Sequence, residues 1–318
     1  MKRALVISAG GAKGSYAGGI VEYYIRNGRS YDSLYGSSIG SLIIPFAATN
    51  NYNQLKTAFT SITMEDIFSI NPFKIKKQAN GIYHYGINYW NIFKNIVINK
   101  KPSMGDTTIL RTHTIPKFFS ETNYIELLNQ GKELTIMVTN ISTGELEKKC
   151  LKDYTYEQFC DWLWASTCAP PFMSVPEING CHYTDGGVLS QAPIKQAILD
   201  KCDEIDVIIL DKQQSDWAIE HVRNAIQYQL KLLLLMMNKI KDYQIDMGYL
   251  TQFARKKVTI NFHYLTRRLT NNALIFDGEL MNEWWKEGYE YAESNQYVSY
   301  IIDGRDNTYE LIEKNKSI

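Results

Sequence analysis

The chain has 318 residues, and its 34 lysines and arginines balance 34 aspartates and glutamates, so bulk charge gives no reason to expect nucleic acid as a partner. That length allows one large domain or two small ones and is enough to bury a sizeable core. Aromatic residues make up 13% of the chain, with 22 tyrosines, which predicts many amphipathic rings on partly wet surfaces.

Ala4–Ser8 reads as a buried strand, and Gly14–Arg26 as a helix with Ala17, Ile20, Val21 and Tyr24 at helical spacing and Gly28 as its stop. Tyr31–Tyr35 reads as a second strand and Ile39–Thr49 as a second helix. The alternation of strand and helix predicts parallel pairing with helices on the sheet faces.

From 57 to 116 the character changes. Phe59, Phe68, Phe73, Tyr83, Tyr85, Tyr89, Trp90 and Phe93 lie among Lys74, Lys76, Lys77, Lys94, Lys100 and Lys101. The expectation is an inserted helical subdomain with a tyrosine-rich surface. The alternative is a cap over the site or an interfacial patch, with rings at headgroup depth and lysines against anionic lipid. No stretch here has a clean amphipathic period.

Glu133–Asn140 is a strand, and Thr143-Gly144 turns into a second run, Leu146–Leu151. Tyr156–Thr167 is a helix stopped by Pro170 and Pro171. Glu177–Thr184 reads as a hairpin turning at Asn179-Gly180. Pro193 suits the start of a helix to Leu199, and Ile205–Leu210 is another buried strand. A long helical pattern spans Asp216–Met247, Thr259–Leu265 is a strand, and Gly278–Ser294 is a helix with Trp284 and Trp285 packed on the body. The charged residues after Asp303 are expected to fray.

Cys150, Cys160, Cys168, Cys181 and Cys202 form an odd set without a metal-binding spacing. Met1-Lys2-Arg3 is followed by a short strand rather than a leader. Free thiols, a cytoplasmic setting and no metal are therefore expected. The most apolar run, Leu230–Met237, is too short to cross a bilayer, so any membrane contact would be peripheral.

Three motifs carry chemistry. Tyr35-Gly36-Ser37-Ser38-Ile39-Gly40-Ser41 has the strand–turn–helix context of a Gly-x-Ser-x-Gly elbow. Gly36 and Gly40 would let strand and helix cross closely, exposing Ser38 Oγ at a helix N-terminus. Ser8-Ala9-Gly10-Gly11-Ala12-Lys13-Gly14 is a glycine-rich turn whose backbone amides can converge. Tyr183-Thr184-Asp185-Gly186-Gly187 closes the set. In this order, with the 164–172 neighbourhood and Pro193, the motifs resemble the patatin-like phospholipase family over residues 3 to 210.

The resemblance implies a Ser–Asp dyad without histidine, with Ser38 as nucleophile and Asp185 as base. It assigns the oxyanion hole to the glycine-rich loop, where Gly10, Gly11 and Ala12 are the expected donors. Lys13 matches the family's basic position and Gly14 its closing glycine; Gly186 and Gly187 would let the carboxylate approach closely. Ala9 departs from the family, standing where a glycine is common. The implied activity is hydrolysis of a phospholipid or another acyl-ester lipid, with no cofactor. The fold expected is three-layer α/β/α with a mostly parallel central sheet. A catalytic domain would span 1–215, with 57–116 inserted and 216–318 a helical extension on the same body.

A carboxylate of ordinary pKa, about 3.9, is a weak base, so Asp185 would need desolvation. A histidine base would have to come from His84, His113, His182, His221 or His263, none of which sits in a recognisable motif. Two other functions stay open at this point. One is a catalytically silent lipid- or protein-binding module. The other is a nucleotide-binding α/β oxidoreductase, with Asp32 near the acidic position but Ala9 in place of the fingerprint's leading glycine.

Overall fold

The computed structural model describes residues 1–77, 83–213, 222 and 225–312. Strand β1 (Arg3–Ile7) is followed by α1 (Gly14–Arg26), β2 (Ser33–Ser37), α2 (Ile39–Ala48), α3 (Tyr52–Ser61) and α4 (Met64–Ile67). A hairpin of β3 (Phe73–Lys77) and β4 (Tyr83–Ile87) leads into α5 (Tyr89–Phe93), which widens into a looser helical turn over Lys94–Ile98. Then come α6 (Ile115–Phe118), α7 (Glu121–Gln130), β5 (Glu133–Asn140), β6 (Glu145–Cys150), α8 (Tyr156–Thr167), β7 (Glu177–Ile178), β8 (Cys181–Asp185) and α9 (Ile194–Leu199). The chain continues through β9 (Glu204–Ile209), α10 (Ala225–Gln244), α11 (Met247–Thr251), β10 (Lys257–Tyr264), α12 (Gly278–Glu293), β11 (Val298–Asp303) and β12 (Thr308–Ile312).

Ten of the described strands form one sheet. Its centre, β10-β9-β1-β2-β5, is parallel throughout. Antiparallel strands finish both sides: β11 and β12 beyond β10, and β6, β8 and β7 around β5. Period-two alternation feeds a core on each face. Leu5 and Ile7 of β1 join the larger core under α1, α2, α8 and α12. Ala4 and Val6 join the smaller one with α9 and α11. The result is the expected three-layer α/β/α body with mostly parallel central strands.

Helix α12 lies against α1 at close range. A Cβ on Gly18 would run into the Trp285 ring, and one on Gly19 into the Trp285 carbonyl. Trp285 is buried, and its indole N–H donates to Glu22 Oε2 at 2.6 Å. Trp284 is buried beside it.

Three expectations change. The 57–116 stretch is not simply helical, since Phe73 and Ile87 open a two-stranded hairpin. The residues after Asp303 do not fray at once: β12 pairs with β11 as far as Ile312. The 216–318 segment is not a helical extension, because it contributes β10, β11 and β12 to the main sheet. The helical pattern over Asp216–Met247 is described from Ala225 and stops at Gln244, with Met247 opening a separate short helix; its residues 216–221 and 223–224, His221 among them, lie outside the described residues.

Candidate active site

Strand β5 sets the geometry of the site. Its Ser33-to-Ser37 partner, β2, runs alongside as far as the Ser37–Met137 pair. Strand β8 takes over on that same edge at the Asp185–Val138 pair, because β6 occupies the other edge from Thr135 to Asn140. The ends of β2 and β8 therefore meet head to head, which brings Ser38 and Asp185 together across 147 positions of sequence.

Ser38 sits at the turn between β2 and α2 with φ 54° and ψ −126°. This is a sparsely populated conformation that needs support from its surroundings. The support is sterically visible. A side chain on Gly36 would press on the Gly40 carbonyl carbon and Ser41 amide, and one on Gly40 on the Ile7 carbonyl. The buried Ser166 hydroxyl fixes the turn from the other side. It donates to Met137 O at 2.7 Å, lies 2.7 Å from Ser41 Oγ, and accepts the Ser38 N–H at 3.2 Å.

Ser38 Oγ donates to Asp185 Oδ2 at 2.6 Å, and the Gly187 N–H donates to Asp185 Oδ1 at 2.6 Å. Asp185 is 3% exposed. Burial pushes its pKa up to about 7, the bonds from Ser38 and Gly187 partly offsetting the rise. Gly186 and Gly187 belong to tight quarters: a Cβ on Gly186 would strike Met137 O, and one on Gly187 the Ala9 Cβ and the Asp185 carboxylate.

The glycine-rich loop leaves β1 beside this pair. Gly11 has φ +56° and no room for a Cβ against the Ala273 carbonyl. Ala12 donates its N–H to that oxygen at 2.8 Å, so its amide is already engaged and is not open to a ligand. The amides of Gly10 and Gly11 make no hydrogen bond among the described residues. Gly14, packed on Ile39 and Phe59, starts α1. Lys13 projects to the cavity wall. Burial lowers the pKa of its ammonium, Asp211 works the other way, and Lys241 and Arg268 add to the lowering. Lys241 is itself ion-paired with Asp211.

Ser38, Asp185, Gly10, Gly11 and Lys13 all line one cavity of about 1010 Å³. Its remaining walls are largely apolar, with Leu42, Phe59, Phe119, Phe172, Leu210 and Leu274 among them. No histidine lines it among the described residues. His263 is buried elsewhere, 3.3 Å from the Tyr24 hydroxyl, and His182 is exposed on β8. Cys168 is buried, and burial pushes its thiol well up, so it stays protonated.

Two residues of the site carry no signal in the sequence. Ser166 lies inside the 164–172 stretch without any sign that its hydroxyl braces the elbow. Gln191 Nε2 donates to Gly187 O in the turn after Asp185 at 2.7 Å, while its own carbonyl accepts the Ala9 N–H at 2.8 Å. It ties the carboxylate turn to the glycine-rich loop.

The family model for patatin-like phospholipases matches residues 5–198. The chain belongs to that family, and membership implies lipid acyl hydrolase activity. Among solved structures, VipD from Legionella pneumophila is similar over 95% of this chain and 68% of its own, at 12% identity and a TM-score of 0.39. No curated protein matches the chain.

Proposed function

We propose that the chain is a serine-dependent acyl hydrolase that cleaves the carboxylic ester of a phospholipid or related lipid through a Ser38–Asp185 dyad. The observation that carries this reading is the 2.6 Å bond from Ser38 Oγ to a buried carboxylate, both lining a large and largely apolar cavity. Ionised Asp185 accepts the hydroxyl proton as Ser38 Oγ attacks the ester carbonyl. The carbonyl oxygen becomes an oxyanion beside the open amides of Gly10 and Gly11, and the N-terminus of α2 favours the developing charge. Collapse breaks the bond to the alcohol, which takes the proton back from Asp185. Water then adds to the acyl-serine with Asp185 as base, releasing the fatty acid and restoring Ser38.

The elevated pKa of Asp185 supports the assignment, because a base near neutrality transfers protons more effectively than one near pH 4. The apolar walls suit acyl chains. A lipid substrate implies peripheral contact with a membrane, and no helix among the described residues is long and apolar enough to cross one.

The test is labelling with a fluorophosphonate probe alongside fatty-acid release from phospholipid vesicles. Wild type should label and release; Ser38→Ala and Asp185→Asn should do neither. Labelling that survives Ser38→Ala would name another nucleophile.

A further inference from the structure

The helical segment from Tyr89 to Ile98 is built inside out. Its buried anchor is polar: Asn95 is fully buried and donates through Nδ2 to Ser103 O at 2.9 Å and Gly105 O at 3.0 Å. Asn91 Nδ2 donates to Asn71 O at 2.8 Å, and Asn88 Oδ1 accepts the Asn91 N–H at 3.3 Å. Tyr89, Trp90, Phe93, Ile96, Val97 and Ile98 are instead exposed by 43% to 69%. A surface helix of a water-soluble body normally turns its apolar side inward and its asparagines out. Here the order is reversed, and Trp90 and Phe93 stack on one another in the open, centroids 5.8 Å apart.

Charge points the same way. From Ile67 to Gly105 there is no aspartate or glutamate, while Lys74, Lys76, Lys77, Lys94, Lys100 and Lys101 all fall in that span, in a chain of zero net charge. Lys94, Lys100 and Lys101 are exposed beside the apolar residues.

The neighbours that anchor the segment adjoin the cavity wall, since Asn95 holds Ser103 and Gly105 on either side of Met104. The Met104 N–H donates to Pro171 O at 2.9 Å, and the Phe73 ring lies 4.9 Å from that of Phe172. Pro170 and Phe172 line the cavity that holds Ser38.

We propose that Tyr89–Lys101 is an interfacial docking element, seating its rings and aliphatic side chains at headgroup depth in an anionic lipid surface. Tryptophan and tyrosine are favoured at that depth, and lysines there meet anionic headgroups. A fluid anionic surface accommodates apolar side chains without a matched shape, and the span's charge, six lysines and no carboxylate from Ile67 to Gly105, complements anionic headgroups. The proposal goes beyond the hydrolase reading and does not depend on Ser38.

The experiment is co-sedimentation of Ser38→Ala protein with vesicles of phosphatidylcholine alone and of phosphatidylcholine mixed with phosphatidylglycerol. Binding to the mixed vesicles should be at least about tenfold tighter than to the neutral ones. Trp90→Ser, Phe93→Ser and Val97→Ser combined should weaken binding to both by roughly tenfold or more. Lys94→Gln, Lys100→Gln and Lys101→Gln combined should remove only the anionic preference. Both variants should melt at the wild-type temperature. With Ser38 intact, the apolar variant should keep its turnover of a soluble short-chain ester and lose that of vesicles. Wild-type protein left in the supernatant with both vesicles would overturn the proposal, as would variants that bind like wild type. Equal loss of both hydrolytic activities would also overturn it, because the segment would then be shaping the site. A dimer that dissociates only in the apolar variant, with vesicle binding unchanged, would assign the face to a second copy of the chain instead.

Discussion

The amide of Ala12 donates to the carbonyl of Ala273 at 2.8 Å, so a residue late in the chain holds the loop beside the elbow. Gly11 sits against the same oxygen with φ +56°. Gly11→Ala adds a Cβ where that carbonyl already stands, in a backbone conformation alanine disfavours. The loop must move, and the open amides move with it. Turnover of a soluble ester should fall about a hundredfold, the scale of losing one oxyanion donor. Circular dichroism should show the fold intact. Wild-type kinetics in this variant would remove the loop from the mechanism.

The ionisation of Asp185 should appear in the pH profile. With its pKa raised to about 7 by burial, kcat/KM should climb with pH, reach half its maximum near 7 and level off above. An ordinary carboxylate would give that inflection at about 4. Stability moves the other way. The unfolded chain releases this proton at about pH 4 and the folded protein only near 7, so the folded state loses stability as pH rises between those values. Asp185→Asn lacks the ionisation. Compared with wild type, it should gain melting temperature as pH is raised from 5 to 8, since each pH unit between the two ionisations is equivalent to about 1.4 kcal/mol. Parallel curves for the two proteins would contradict a buried, raised carboxyl.

Ser166→Ala tests the brace behind the elbow. Removing the hydroxyl leaves the buried Ser38 N–H and Met137 carbonyl without their partner. An orphaned buried group costs about 1–3 kcal/mol, so urea unfolding should shift by that much. The rate of fluorophosphonate labelling should drop by roughly tenfold as Ser38 loses its fixed position, with the labelled residue unchanged. Loss of stability with no change in labelling rate would make Ser166 purely structural.

Gly19→Ala probes whether residues 278–293 belong to the same cooperative body as the N-terminal half. The new methyl would meet the Trp285 carbonyl across the α1–α12 contact. Overpacking of this kind costs about 1–3 kcal/mol. A single unfolding transition at lower denaturant, followed by both tryptophan fluorescence and far-ultraviolet dichroism, is the expected result. Two separated transitions would divide the chain into independent units.

The sequence is most legible where local pattern and packing agree. Gly14–Arg26 and Tyr156–Thr167 are bounded to the residue, the first by glycine stops and the second by a Thr155–Gln158 capping box ahead of the prolines. Strand β2 reads two residues early, because Gly36 and Ser37 look like turn residues and only pairing with Ile7 and Met137 keeps them extended. The hairpin at Phe73–Ile87 is hidden by lysines and aromatics that give no clean period. Strand β12 is hidden by its position at a sheet edge, where a strand keeps polar, charged neighbours. The motifs mark Ser38 and Asp185, yet the engagement of Ala12 by Ala273 cannot be read from them, since a backbone carbonyl leaves no trace in side-chain type. The roles of Ser166 and Gln191 are hidden for a related reason, as a hydroxyl or amide in a helix or turn does not reveal its distant partner.

Strand β1 begins at Arg3 but lies mid-sheet, pairing with Glu204–Ile208 on one side. During synthesis β1 must wait for about two hundred residues before that neighbour exists. The carbonyl of Ala273 arrives later still. A nascent chain that already carries both Ser38 and Asp185 but has not yet reached Ala273 therefore lacks the contact that holds its glycine-rich loop in place.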